Sequence, residues 1–454
     1  MAKYFGTDGF RGEAGKELTA VHAYDIGRFL GWYYGARLGR KARIVIGKDT
    51  RISCYMFENA LTAGLTASGA DAFLMHVTTT PSVSYITRVD NFDCGIMISA
   101  SHNPYTDNGI KLLNDQGEKM DDAVIDEVEK YIDKVIPEPP MATGDDIGRA
   151  IDYAEGRNRY IGYLISLGTH SFKGKNIALD CSNGSTWQIA GSVFNALGAN
   201  TFILNNTPNG LNINKDCGST HIDGLLNFVK ERGDIDAGFA FDGDADRCLA
   251  CDEHGNLVDG DMIMYLAARY MKDKGILKDT KVVTTIMSNI GLYKALTALG
   301  IEYEQTAVGD RFVYECMRAN GHLIGGEQSG HVIFGQYANT GDGLLTALKI
   351  MQVMLDRKCT LSELVRDIEI FPQVLKNCEV TDKAHAQEHP VVAKAIKEIG
   401  EKLGSDGRVL VRPSGTEPVL RIMAEAPTPE ECEGAVDFII DALRESGQLV
   451  KVRI

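Results

Sequence analysis

The chain has 454 residues, of which 44% are hydrophobic and 24% charged, and its formal net charge is -15 at neutral pH. This length exceeds what one hydrophobic core supports and predicts several domains. The negative charge argues against a nucleic-acid partner, and the sequence has no run of about 18 apolar residues to span a membrane. The N-terminus lacks the apolar core of a signal peptide, so we expect a cytoplasmic protein.

The ten cysteines are scattered along the chain, and several lie beside apolar runs, which is typical of buried free thiols rather than of disulfides. Cys248 and Cys251 form a CxxC pair, but no second pair stands at the spacing of a zinc site. The cysteines therefore predict neither a disulfide framework nor a zinc centre.

A unit of strand, polar loop, helix, glycine and strand occurs three times, starting near residues 43, 177 and 282. Three copies predict three similar α/β domains, and the last 80 or so residues lack the unit and predict a smaller C-terminal α+β domain. A proline-rich linker and two turns suggest the boundaries. The predicted domains are residues 1–150, 151–254, 255–370 and 371–454.

The first glycine-rich segment, residues 5–12, reads FGTDGFRG. It is too polar and too rich in glycine to form core, so it predicts an ordered loop. Within this loop, Arg11 is free to face an anion.

A second polar segment follows the apolar residues 95–98, which predict a buried strand. Pro104 prevents the strand from continuing, so Ser101 is presented at a strand end, where open α/β sheets bind their ligands. Ser101 is therefore a candidate nucleophile, with His102 and Lys111 as neighbours in sequence. The alternative is an Asn-Pro turn that the serine and the histidine merely cap and solvate.

Three aspartates, Asp242, Asp244 and Asp246, follow the apolar strand predicted at residues 237–241. Carboxylates at alternate positions can surround a hard divalent cation such as magnesium or calcium. The spacing also resembles the start of an EF-hand loop, but Arg247 stands where that loop needs glycine, and the flanks read as strands. A solvated acidic turn without metal is the remaining alternative.

Two further motifs lie in the second half of the chain. Residues 325–331, GGEQSGH, bring a carboxylate, a hydroxyl and an imidazole to one glycine-rich tip, which suits sugar hydroxyls and proton transfer. Residues 412–418, RPSGTEP, offer arginine, hydroxyl and backbone donors to a phosphate. Plain turns are the alternative for both segments.

These parts together predict phosphoryl transfer on a phosphosugar, with the acceptor, water or sugar, left open. Residues 99–104, 242–247, 326–331 and 412–418 resemble, in order, the four signature loops of the α-D-phosphohexomutase family. The resemblance implies four domains around a central cleft. Residues 5–12 and 326–331 resemble in particular the branch that acts on glucosamine phosphates, with the branch for mannose and glucose phosphates as runner-up. A non-catalytic phosphosugar-binding protein and a metal-dependent phosphatase are the alternatives of another class.

By this resemblance, Ser101 would carry a phosphate and exchange it with the sugar through a bisphosphorylated intermediate. The phosphate on Ser101 and the three aspartates would hold one magnesium ion, and a sugar 1,6-bisphosphate would be the activator. The implied catalytic residues are Ser101, Lys111, His331, His102 and Arg11. The implied substrate contacts are Arg247, Glu327, Ser329, Arg412, Ser414, Gly415, Thr416 and Arg421. We expect a small-molecule phosphosugar as the partner, no nucleic acid or membrane, and a monomer or homodimer.

Overall fold

The computed structural model of the chain describes residues 3–414 and 419–453. It contains four β-sheets with associated helices. The chain folds as two compact units, one made of Met1–Met287 and Ile301–Arg366 and the other of Ser288–Gly300 and Asp367–Ile454. The larger unit contains the first three sheets.

The first sheet has seven strands in the order β1-β2-β6-β5-β3-β4-β7. Its strands are β1 (Phe5–Gly6), β2 (Gly9–Glu13), β3 (Arg43–Lys48), β4 (Asp71–Val77), β5 (Cys94–Ile98), β6 (Asp107–Leu113) and β7 (Ala150–Asp152). Its helices are α1 (Ala20–Leu38), α2 (Ser53–Ala67), α3 (Thr80–Val89) and α4 (Asp122–Ile132). β3 runs parallel to β4 and β5, and both of its faces are buried, which is why it reads as an apolar run.

The second sheet has the order β12-β11-β10-β8-β9. Its strands are β8 (Asn176–Asp180), β9 (Asn200–Leu204), β10 (Ala237–Phe241), β11 (Cys248–Cys251) and β12 (Leu257–Val258), and its helices are α5 (Ala154–Ser166), α6 (Ala190–Ala196) and α7 (Asp223–Arg232). β10 pairs with β8 in parallel and with β11 in antiparallel orientation. The turn predicted to end the second domain at residue 254 lies inside the β11–β12 hairpin, so the sheet extends to Val258.

The third sheet has the order β14-β13-β15-β16. Its strands are β13 (Val282–Thr285), β14 (Tyr303–Thr306), β15 (Ile324–Gly326) and β16 (Val332–Phe334). Its helices are α8 (Gly260–Asp273), α10 (Asp310–Asn320), α11 (Gly343–Arg357) and α12 (Leu361–Val365). The intervening helix α9 (Ile290–Ala298) belongs to the smaller unit.

The smaller unit contains an antiparallel sheet in the order β18-β19-β17-β20. Its strands are β17 (Gln373–Val380), β18 (Arg408–Pro413), β19 (Val419–Glu425) and β20 (Leu449–Arg453), and its other helices are α13 (Pro390–Leu403) and α14 (Pro429–Glu445). Helix α9 is held in this unit because the backbone N–H of Ile290 donates to buried Glu425 at 3.0 Å.

The four sheets confirm the predicted α/β class with a smaller C-terminal domain. The three predicted repeats correspond to the parallel pairs β3–β4, β8–β9 and β13–β14. All ten cysteines are free, eight of them buried, as their positions beside apolar runs predicted. None of the helices in the described part of the chain combines the length and hydropathy that crossing a bilayer requires.

Candidate active site

Ser101 lies in the segment that joins β5 to β6; we call this segment, together with the first residue of β6, the serine loop (residues 99–107). β5 and β6 are antiparallel, so the loop emerges at one end of the first sheet. Ser101 is buried and has a φ of 51°, in the left-handed region. Its hydroxyl donates to Oδ2 of Asp242 at 2.5 Å, and Nδ1 of His102 lies 3.4 Å from the same hydroxyl. The structure therefore brings the predicted nucleophile against the first predicted metal ligand.

The three aspartates Asp242, Asp244 and Asp246 lie in the turn between β10 and β11, and all three are buried. One carboxylate oxygen from each lies within 4.8 Å of the others. Burial, and then the negative charges of Asp246 and Asp244, raise the pKa of Asp242 well above its usual value. Three buried carboxylates at this separation repel one another unless a cation or protons neutralise them.

The donor set of this cluster fits a hard divalent cation. Oδ1 of Asp244 and Oδ1 of Asp246 are buried and accept no hydrogen bond from the described residues. Nδ1 of His331, at 3.8 Å from Oδ1 of Asp246, is too distant for one. Buried, unsatisfied carboxylate oxygens are the ligands that magnesium prefers, so the cluster fits the predicted ion.

Lys111 is the cation that stands among these carboxylates. It lies on β6 opposite Met97 of β5, and its Nζ is 2.8 Å from Asp244, 3.4 Å from Asp246 and 3.2 Å from Asp8. Burial alone would lower the pKa of Lys111, but the three aspartates more than offset it and hold this pKa well above its usual value. Lys111 is therefore an ammonium ion at neutral pH.

Two arginines complete the positive charge around the serine. Arg11, on β2, forms an ion pair with Asp8, and Arg247 follows the aspartates in sequence. The Nε atoms of both side chains are buried and donate to no acceptor among the described residues. Buried guanidinium N–H groups that lack an acceptor suit a phosphate group, because phosphate oxygens match the planar, forked geometry of the arginine donors.

The glycine-rich motif forms the tip of the β15–β16 hairpin. The backbone N–H of Gly309 donates to Oε1 of Glu327 at 3.1 Å, and Ser329 is exposed to solvent. His331 is buried, and its Nε2 accepts the backbone N–H of Gly341 at 3.0 Å. This contact places the proton of a neutral imidazole on Nδ1, the nitrogen that faces Asp246.

Two residues of this site, Thr80 and Asp8, were missed by the sequence analysis. The hydroxyl of Thr80 donates to Oδ2 of Asp244 at 2.5 Å, and the backbone N–H of Thr80 donates to the carbonyl of the same aspartate at 3.0 Å. Thr80 begins α3, so this helix orients one of the predicted metal ligands. Asp8, which pairs with Lys111, lies in the glycine-rich segment 5–12, where only the arginine was a candidate site residue. The run of threonines before Pro81 was the only available signal for Thr80.

The predicted phosphate loop lies in the smaller unit. Arg412 on β18 and Arg421 on β19 are directly opposite each other in the antiparallel pair. Burial, and then the charge of Arg421, lower the pKa of Arg412. Like charges in opposed positions destabilise a hairpin, which favours an anion between them. The carbonyl oxygen of Ser414 accepts a hydrogen bond from Nζ of Lys383 at 2.8 Å. Gly415 and Thr416 lie outside the described residues.

Another cluster with metal-ligand chemistry contains Glu304, Cys316 and His322. Nδ1 of His322 accepts the backbone N–H of Lys281 at 3.2 Å, so the ring proton lies on Nε2, 3.3 Å from Glu304. A ligating histidine needs a free lone pair on the nitrogen that faces the metal. This cluster therefore suits a metal less well than the three aspartates.

Family models match four successive parts of the chain. Models described as phosphoglucomutase/phosphomannomutase, alpha/beta/alpha domains I, II and III, match residues 2–138, 158–255 and 259–371, and the C-terminal domain model of the same family matches residues 375–442. Together these models cover most of the chain, and each contains strands of a different one of the four sheets.

Curated relatives match almost the whole chain. A phosphoglucosamine mutase of Lachnospira eligens is 61% identical over 451 residues, covering 99% of this chain and all of the relative. The protein of that name from Lachnoclostridium phytofermentans is 58% identical over 449 residues, again covering 99% of this chain and all of the relative. A solved phosphoglucomutase/phosphomannomutase family protein from Burkholderia thailandensis has a TM-score of 0.80 at 22% identity, with 99% and 100% of the two chains covered, and so shares the fold.

Proposed function

Because the chain belongs to the phosphoglucomutase/phosphomannomutase family of α-D-phosphohexomutases, we propose that it interconverts glucosamine 6-phosphate and glucosamine 1-phosphate. The contact between the Ser101 hydroxyl and Asp242, inside a buried cluster of carboxylates and cations, supports the chemistry. The high identity over the full length to proteins named phosphoglucosamine mutase supports the amino sugar as substrate. The product glucosamine 1-phosphate would then feed the synthesis of UDP-N-acetylglucosamine.

Ser101 would act as the phosphoryl carrier of the reaction. In the active enzyme its Oγ would bear a phosphate, which passes to the free hydroxyl of the bound sugar phosphate. The resulting sugar 1,6-bisphosphate turns around and returns its other phosphate to Ser101, which leaves the isomeric monophosphate as product. A sugar 1,6-bisphosphate would also activate the unphosphorylated enzyme, because it can donate the first phosphate to the serine.

The charged groups around Ser101 would stabilise the transferring phosphoryl group. Asp242, Asp244 and Asp246 would hold a magnesium ion, which supplies positive charge to the phosphoryl oxygens when bound. Lys111, as an ammonium ion, would add a fixed positive charge and a proton donor beside the same group. Arg11 and Arg247 would donate their free Nε–H groups to the phosphate on the serine.

The two histidines would have different roles. Burial, and then the charges of Arg247 and Arg11, lower the pKa of His102 to about 4, so this ring is neutral at physiological pH and would stand beside the Ser101 hydroxyl as an uncharged hydrogen-bonding group. Gly341 orients the ring of His331 through Nε2, so its Nδ1–H would be available for proton transfer at the site. Glu327 and Ser329 would contact the sugar hydroxyls.

Product formation from glucosamine 6-phosphate tests the proposed function. The assay contains magnesium and a trace of glucose 1,6-bisphosphate, and it is run beside glucose 6-phosphate and mannose 6-phosphate. We expect glucosamine 1-phosphate to form with the highest kcat/KM by a wide margin. Preferred turnover of glucose or mannose phosphate would contradict the substrate assignment, and release of inorganic phosphate without an isomeric product would contradict the mutase reaction itself.

Arg412→Ala should weaken substrate binding without changing the metal site. Arg412 would hold the phosphate that is not being transferred, together with Ser414, Gly415, Thr416 and Arg421. We expect KM for glucosamine 6-phosphate to rise by about tenfold or more, because a charge-assisted, bidentate contact is lost. The apparent affinity for magnesium should stay unchanged, as measured by activation of the variant at increasing ion concentration.

Lys376→Ala is a matched control for this variant. Lys376 lies on β17 of the same sheet and pairs with Asp437 of α14 at 2.6 Å. It is opposite Ile422, whereas Arg421 is opposite Asn377, so the Lys376 and Arg421 side chains lie on opposite faces of the sheet. We expect its KM to remain that of the wild type. A KM that is unchanged in the Arg412 variant would place the phosphate contact elsewhere.

A further inference from the structure

Arg51 has an unusual environment, because its guanidinium group is completely buried in the first domain. The residue lies in the loop between β3 and α2. Its Nε donates to Oδ2 of Asp49 at 2.8 Å, and its own backbone N–H donates to Oδ1 of the same carboxylate at 2.9 Å. A buried cation is tolerated only when its donors are satisfied. The acceptors of the remaining four N–H groups therefore indicate the role of this side chain.

All four remaining N–H groups point at the backbone of the serine loop. Nη2 donates to the carbonyl oxygens of Ser101 and Asn103, each at 2.9 Å. Nη1 donates to the carbonyl oxygen of Asp107 at 3.1 Å and to that of Pro104. An arginine has five N–H donors, and here one binds a carboxylate and four bind one loop. One side chain thus fixes both ends of the segment that carries the reactive serine.

The conformation of Ser101 requires such support. A left-handed φ is unfavourable for serine and persists only when the surroundings determine it. The backbone N–H of Ser101 donates to Oγ of Ser99 at 2.9 Å, and that hydroxyl donates to Oδ2 of Asp49 at 2.6 Å. Asp49 therefore connects both sides of Ser101, through Arg51 at its carbonyl and through Ser99 at its amide.

The second domain adds to this arrangement through Asn214. Its Nδ2 donates to the carbonyl oxygens of Ser101, at 2.8 Å, and Asn103, at 3.2 Å. These are the two oxygens that Nη2 of Arg51 also binds. The backbone of Ser101 is thus held from two domains while its hydroxyl reaches Asp242.

We propose that Arg51 is a positioning residue for phosphoryl transfer, which holds Ser101 in the conformation that presents its hydroxyl to the metal cluster. This inference rests on the proposed role of Ser101 as phosphoryl carrier. Arg51 sets the geometry of the carrier and makes no contribution to sugar binding. Its loss therefore lowers the rate of transfer to and from Ser101 and leaves the affinity for substrate in place.

Arg28 provides a matched control for Arg51. It is also an arginine of the first domain with no exposed surface. Its guanidinium donates to the carbonyl oxygen of Ala67 at 3.0 Å, to Oγ of Ser68 at 2.7 Å and to the carbonyl oxygen of Pro139 at 2.6 Å. None of these groups belongs to the serine loop. A substitution of Arg28 therefore measures the general effect of replacing a buried arginine that has no proposed role in positioning Ser101.

The test compares Arg51→Lys with Arg28→Lys. Lysine keeps the positive charge but has only three donors and no planar fork, so it cannot bind four carbonyl oxygens. We expect kcat of Arg51→Lys to fall by about a hundredfold, the loss typical of a small misplacement of a reacting group, with KM changed by less than about threefold. Arg28→Lys should show a similar loss of thermal stability and a kcat within about threefold of the wild type.

Phosphate transfer to Ser101 is measured directly by intact mass after the dephosphorylated proteins are incubated with glucose 1,6-bisphosphate. Wild type and Arg28→Lys should gain one phosphate quickly, and Arg51→Lys slowly. Equal rates in the two lysine variants would overturn the inference, whereas a wild type that takes no phosphate would overturn the proposed function on which it rests.

If Arg51→Lys does not fold, Asn214→Gly replaces it, because Asn214 has a φ of 56° that glycine adopts freely. Its kcat should fall by about tenfold for the two lost hydrogen bonds, and an unchanged kcat would overturn the inference.

Discussion

Ser101→Ala should abolish the mutase reaction while leaving the fold intact. Only the hydroxyl of Ser101 can accept and return the phosphate in the proposed reaction, and it also bonds Asp242 at 2.5 Å. We expect kcat with glucosamine 6-phosphate to fall by at least about a thousandfold, as for other nucleophile deletions. The variant should also gain no mass on incubation with glucose 1,6-bisphosphate. Turnover near that of the wild type would disprove the phosphoserine mechanism.

Ser182→Ala is the matched control for this prediction. Ser182 follows β8 in the second domain, is completely buried and has a φ of 52°, almost the same as that of Ser101. Its hydroxyl donates to the carbonyl oxygen of Cys181 at 2.7 Å and contacts no aspartate of the metal cluster. Both variants place alanine in a left-handed conformation, so they share the same backbone strain. Only Ser101→Ala should lose activity.

Asp242→Asn should lower activity and raise stability. The variant lacks one of the three carboxylates proposed to hold magnesium, so we expect kcat to fall by about a hundredfold or more and the magnesium concentration for half-activation to rise. Addition of excess EDTA to the wild type should abolish turnover as well. Restored activity at saturating magnesium, equal to that of the wild type, would contradict the assignment of Asp242 as a metal ligand.

The expected gain in stability follows from the electrostatics of the metal-free cluster. Burial and the two neighbouring aspartates raise the folded-state pKa of Asp242 above its unfolded value. The folded state therefore binds more protons, and the stability that this group contributes falls as pH rises between those two pKa values. Ionisation of this carboxylate therefore costs free energy in the folded, metal-free protein, so Asp242→Asn should unfold a few degrees higher in EDTA. The same variant should gain less from added magnesium than the wild type does.

Asp180→Asn is the control for both effects. Asp180 is the completely buried last residue of β8, and burial raises its pKa as well. However, its carboxylate accepts the backbone N–H groups of Ser182 and Gly218, each at 2.9 Å, and the side chain of Asn205 at 3.0 Å. Its charge is therefore satisfied by donors, and its removal should not raise the unfolding temperature. Activity should remain close to that of the wild type.

The sequence by itself determined the fold class and the segments that form the candidate site. Apolar runs followed by glycine-rich or proline-containing polar loops mark where strands end, and strand ends are where an α/β sheet presents polar side chains. Ser101 and Asp242 were identified in this way, because each is close to the end of a buried strand. Local sequence is sufficient for such statements, since the strand and the loop that follows it are adjacent in the chain.

Only the tertiary structure decided which groups are in contact and how the pKa of each buried titratable group is shifted. Lys111 contacts Asp8, Asp244 and Asp246 across more than 100 residues, and Thr80 reaches Asp244 from a different domain. Four of the five side-chain donors of Arg51 likewise find acceptors on a loop about 50 residues away. Hydrogen bonds and charge interactions act over a few ångströms in space, and neither motif spacing nor residue type records those distances.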